Sequence, residues 1–111
     1  MDSILTSIKK LLGITEEYEH FDTDLIIHIN SVFSILAQLG IGPKDGFSIR
    51  DKTSKWSDFL NDKDDKRLEM IKSYVYMKVK LMFDPPTNSS LLESMTRFTN
   101  EFEWRANVVV D

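Results

Sequence analysis

The chain has 111 residues, 41% hydrophobic and 29% charged, with a formal net charge of −4 and no cysteine. That length supports one domain with a thin core, and the lack of cysteine excludes disulfides, thiolate nucleophiles and cysteine-based zinc or iron–sulfur sites. An isoelectric point near 5.1 argues against nucleic-acid binding through a basic surface, while neither Met1–Leu5 nor the near-apolar Leu25–Leu39 reads as a signal peptide or a membrane span.

In chain order, a first helix is expected over Ile4–Leu12, where Ile4, Leu5, Ile8, Leu11 and Leu12 share a face and Gly13 ends the run. Asp22 or Thr23 is placed to cap a second helix over Asp24–Leu39, with Gly40 as its stop. Gly42-Pro43-Lys44-Asp45-Gly46 reads as a turn, Phe47–Arg50 as a short strand, and Trp56–Leu60 as one helical turn pinned by Trp56 and Phe59. A third long helix is predicted over Asp65–Phe83, where Asp84-Pro85-Pro86 stops it. Ser90 with Glu93 forms a capping-box pattern that opens a last helix over Leu91–Ala106. Asn107–Asp111 reads as a β-prone, flexible tail. The expected fold is mainly α: a single small helical bundle over residues 1–111, with one irregular or short-strand segment at 43–62.

The helix faces carry the next inference. In the second helix Leu25, Ile29, Val32, Leu36 and Leu39 form a core stripe, widened by Ile26, Phe33 and Ala37, and the opposite face holds Asn30, Ser31, Ser34 and Gln38 without one charge. The third helix has two apolar stripes: Leu68, Ile71, Val75, Val79 and Met82, then Met70, Tyr74, Met77 and Leu81. So much apolar surface exceeds what one small domain hides and points to self-association. Either stripe of this helix is open to being the inward one. The last helix shows a stripe of Leu91, Met95, Phe98 and Phe102, with Trp104 on the far side near Glu93, Arg97 and Asn100. Trp and Arg are favoured at interface hot spots. Met70, Tyr74, Met77, Leu81, Arg97 and Trp104 are therefore the expected oligomer interface. Phe47, Ile49 and Trp56, together with Val108, Val109 and Val110, are the expected contacts to other partners.

Catalytic constellations are missing. His20 and His28 are the only histidines and form no i, i+4 pair. Asp62, Asp64 and Asp65 lack the glycine and later Glu of a calcium loop and read as the solvated start of a helix. No glycine-rich phosphate loop is present. No enzyme, metal or cofactor is expected.

Tyr74-Val75-Tyr76-Met77-Lys78-Val79-Lys80-Leu81-Met82-Phe83-Asp84-Pro85-Pro86, followed by Thr87-Asn88-Ser89-Ser90, resembles a segment of the phage head–tail connector family, the small adaptor or head-completion proteins of long-tailed bacteriophages and prophages. Ile8–Ile14, Gly42-Pro43 with Gly46–Ile49, Trp56–Leu60 and Glu101–Arg105 are similar too. The resemblance implies a helical subunit of a homo-oligomeric ring under the portal protein. That ring extends the DNA channel and docks the next head-completion or tail protein. It implies a place in the virion at the head–tail junction, with the bacterial cytoplasm as the site of assembly. It implies no catalysis, no cofactor, no membrane, and DNA only in non-specific passage, which an acidic lumen suits. A small homodimeric bacterial regulator or adaptor is the alternative that the helix faces leave open.

Overall fold

Ser3 starts the first helix, its hydroxyl accepting the Thr6 N–H at 3.2 Å, and α1 runs over Ile4–Leu11. The structure, a computed structural model, describes residues 3–60 and 65–110, except the side chains of 65, 66 and 108–110. Gly13, at φ +82°, ends α1 by a pair of hydrogen bonds: Gly13 N–H to Lys10 O and Ile14 N–H to Lys9 O. The same motif ends α2 (Asp22–Gln38), where Gly40 at φ +79° gives its N–H to Ala37 O and Ile41 gives its own to Leu36 O. A residue with a Cβ disfavours that left-handed geometry, so both stops were readable as glycines.

One turn, α3 (Trp56–Phe59), sits in the irregular middle, as expected, with Trp56 and Phe59 buried. Then α4 runs over Asp65–Phe83 and α5 over Ser89–Val110. α4 packs on both α2 and α5, and α1 packs on α2. The core combines Ile4, Leu5 and Ile8 of α1 with the α2 stripe and Leu68, Ile71, Val75 and Val79 of α4. The chain is thus mainly helical, a small bundle.

Four local expectations are corrected. α2 begins at Asp22 with no side-chain cap, because the Asp22 carboxylate is drawn to the Lys9 ammonium 2.9 Å away. Asn88 replaces Ser90 as the cap of α5: its Oδ1 accepts the Leu91 N–H at 3.0 Å, while Glu93 turns to Arg97. Phe47–Arg50 forms no strand, since the Ile49 N–H and C=O are both occupied by the Asn30 side chain. The proposed β-prone tail is helical through Val110. No Gly or Pro interrupts the run after Leu91, and each valine costs a helix only a few tenths of a kcal/mol (about 0.5) relative to better formers.

Candidate assembly surfaces

Both stripes of α4 are used within the chain. Leu68, Ile71, Val75 and Val79 face the core, whereas Met82 is largely exposed. On the second stripe Tyr74 is completely buried. Its ring stacks on Phe102 of α5, with centroids 4.3 Å apart and planes 17° from parallel. Its hydroxyl donates to Glu103 Oε2 at 2.6 Å, and Lys78 Nζ lies 2.9 Å from the same oxygen. Burial, then the Glu103 carboxylate, push the Tyr74 hydroxyl far above the usual phenol range. For Glu103, burial alone raises the pKa, but the Tyr74 hydroxyl and the Lys78 ammonium outweigh it and hold the carboxyl below its ordinary value.

Tyr74 is therefore a core residue and not an interface residue. The wide apolar arc of α4 is accounted for by having a helix on each side, α2 and α5. Met77 and Leu81 are half-buried on that stripe, and Met70 remains 55% exposed.

The irregular segment is likewise turned inward. Trp56 is fully buried and its indole N–H donates to Ser7 Oγ at 2.9 Å. Ile49 is buried under the clamp made by Asn30, whose Nδ2 donates to Ile49 O at 3.0 Å and whose Oδ1 accepts Ile49 N–H at 2.8 Å. Ile49 and Trp56 thus leave the set of expected partner contacts. Phe47 is half-buried against Phe33 and Phe59. Gly42 makes this cluster possible: a Cβ there would sit 2.5 Å from Phe59 Cε1. Val108–Val110 belong to α5, and their side chains lie outside the described residues.

Several apolar groups stay on the surface after the bundle closes. Trp104 is 66% exposed on the outer face of α5, and nearby Arg97 is ion-paired with Glu93 at 2.7 Å. Ile27 is 58% exposed on α2, in line with exposed Ser31, Ser34 and Gln38, which leaves an uncharged outer strip. At the C-terminal end of α2 a groove of about 470 Å³ opens between α4 and α5. Leu39, Ile41, Met70, Phe98, Phe102 and Ala106 line its floor and walls, with Arg67, Glu101 and Arg105 among its polar groups. Sequence reasoning missed this groove because it is assembled from three separate elements.

Two polar features were also missed. Lys9, on the buried side of α1, donates to Glu16 O at 2.9 Å and to Tyr18 O at 2.7 Å and pairs with Asp22. It ties down the loop between α1 and α2. That loop is acidic: Glu16, Glu17 and Glu19 are exposed, exposed Asp24 follows in the first turn of α2, and no Lys or Arg occurs from Gly13 to Asp24. Only the charge count along 13–24 hinted at it.

No group of three or more His, Asp or Glu among the described residues is placed to hold a metal ion. His20 and His28 instead flank an aromatic cluster, His20 against Phe21 and His28 against Phe83. Asp62 and Asp64, and the side chain of Asp65, lie outside the described residues. No helix among the described residues is long and apolar enough to cross a membrane.

A family model described as "Phage connector protein" matches residues 4–111. No match was found among curated proteins or among solved structures.

Proposed function

The chain belongs to the phage connector protein family, and from that premise we propose that it is a ring-forming subunit of the head–tail junction. The family is one of structural virion components, so a structural connector role follows from membership. The finer reading is that copies of this chain close a ring beneath the portal protein, extend the channel for DNA, and present a surface to the next head-completion or tail protein. Assembly takes place in the bacterial cytoplasm, and the subunit performs no catalysis.

The observation that carries the reading is the separation of the remaining apolar surface into distinct places. Trp104 stands on the outer face of α5, Ile27 on the outer face of α2, and the groove at the C-terminal end of α2. A cyclic ring joins two different patches head to tail until rotation closes, whereas a two-fold dimer joins one patch to itself. Multi-angle light scattering and negative-stain imaging of the purified chain, alone and mixed with its portal protein, test this. Rings or portal-bound rings are the expected result. A dimer that does not grow and ignores the portal overturns the reading in favour of a regulator or adaptor.

A further inference from the structure

We propose that α5 is an exchangeable arm, which opens as one piece about residues 84–88 and takes the same seat on α4 of another copy of the chain. The inference rests on the ring reading for the direction of exchange. The contiguous hydrophobic core is built from α1, α2, α4 and the segment between α2 and α4, and no described residue of α5 is a buried member of it. On α5 Met95 and Thr99 are buried, whereas Phe98, Phe102 and Ala106 are only half-buried. The helix is seated on α4, and a groove of about 470 Å³ separates its second half from the end of α2. Its fastening is concentrated at one place, where Tyr74 stacks on Phe102 and donates to Glu103 beside Lys78.

The arm is built to leave as a helix. Asn88 caps its start, and the pairs Glu93–Arg97 and Glu101–Arg105, both at i, i+4 with the acid first, brace its outer face. Its 22 residues exceed the length of about 12–15 below which an isolated helix is marginal. Pro85 and Pro86 keep α4 from running on into α5, and Asp84, Pro85, Thr87 and Asn88 are exposed. Apolar groups on either side of this hinge overhang the closed seat: Met82 in the last turn of α4, and Leu91 and Leu92 in the first turn of α5, are exposed. After exchange, an incoming and an outgoing hinge meet at the end of each α4, which gives these side chains partners. An opened α4 presents Tyr74 and Lys78, and the occupant that restores both contacts is the Phe102–Glu103 stretch of another copy. Tyr74 stays in a core; exchange changes only which copy supplies its partners. When each copy passes its arm to the next, the donated and accepting surfaces differ, and such a heterologous contact closes into a ring.

Mixing tests the assignment with the full chain. Lys78→Glu puts a carboxylate on both seat and arm, and Glu103→Lys puts an ammonium on both. Each protein alone is expected to lose assembly by light scattering. An equimolar mixture is expected to regain it, because every arm then meets a seat of opposite charge on the other protein; a closed chain gains nothing from mixing. As a readout independent of that rescue, Lys78→Cys with Glu103→Cys places one thiol on each side of the α4–α5 seat in a chain with no other cysteine. Treated with a short bis-maleimide and run on a denaturing gel, the assembled protein is expected to give a ladder of linked chains. Assemblies that link only within single chains, with no rescue in the mixture, overturn the exchange and leave the ring reading standing. A wild-type chain that stays monomeric at every concentration, with portal and without, overturns both.

Discussion

The Tyr74 hydroxyl donates to Glu103 Oε2 at 2.6 Å, joining the middle of α4 to the second half of α5. Beside it, Lys78 supplies a positive charge to the same carboxylate oxygen. With the Phe102 stack, this cluster ties α5 to the bundle. A hydrogen bond to a charged acceptor contributes about 2 kcal/mol, so Tyr74→Phe is expected to lower unfolding stability by about that amount in urea titrations. Tyr74→Glu is expected to cost far more, because it loses the stack and sets a second carboxylate beside Glu103. The damage falls on the fold of the single chain and precedes any effect on assembly.

Acid is expected to weaken the same link. The folded pKa of Glu103 lies below its unfolded value, so between the two the unfolded chain binds more protons and stability rises with pH. The contribution is complete above the ordinary Glu range and is lost as pH falls through the lowered folded value. Melting curves recorded from pH 6 down to pH 3 should show a decline that is shallower in Glu103→Gln. An equal slope in both proteins would place the acid sensitivity elsewhere.

Lys9 is a buried cation with three oxygen partners, Glu16 O, Tyr18 O and Asp22 Oδ1. Removing one partner of a buried charge pair typically costs about 3–5 kcal/mol, since the remaining charge is stranded. Lys9→Met keeps much of the aliphatic stem but strands Asp22 and two carbonyls. A loss in that range is expected by chemical denaturation, and a loss below about 1 kcal/mol would mean that water replaces the ammonium.

Asn30 acts as a strand edge made from one side chain, satisfying the N–H and the C=O of Ile49 together. Asn30→Leu leaves both groups without that partner, at a cost of about 1–3 kcal/mol for each buried group that stays unpaired. Hydrogen exchange offers the direct readout: the Ile49 amide should lose protection while amides in the middle of α2 keep theirs.

Gly42 and Gly13 provide a matched pair. Both have positive φ, +96° and +82°, but a Cβ at Gly42 collides with Phe59 whereas one at Gly13 meets open space. Gly13→Ala is expected to carry only the backbone penalty of about 1–2 kcal/mol. Gly42→Ala adds overpacking of about 1–3 kcal/mol. Thermal melts of the two proteins should therefore differ in that order, and equal losses would show that the Phe59 ring moves aside freely.

Read alone, the sequence determined the placement of the helices and most of their ends. The periodicity of Leu25–Leu39 and Leu68–Met82, the glycines at 13 and 40 and the prolines at 85 and 86 are local signals, carried by the backbone preferences of a few neighbouring residues. Recognition of the connector family rested on strings such as Phe83-Asp84-Pro85-Pro86, which are local too. The inward faces of α1 and α2 were legible in the same way, but for the second stripe of α4 and for the irregular middle only the tertiary structure decided what is inside. Tyr74 became core because α5 folds back to supply Phe102 and Glu103; Ile49 and Trp56 became core because Asn30 and Ser7 reach them across the chain. The groove exists because α2, α4 and α5 meet there. The apolar arc on α4, which read from sequence as a sign of self-association, is largely taken up by α2 and α5 of the same chain. Whether a neighbour is the same chain or another copy depends on where distant segments pack, and helical periodicity carries no record of that.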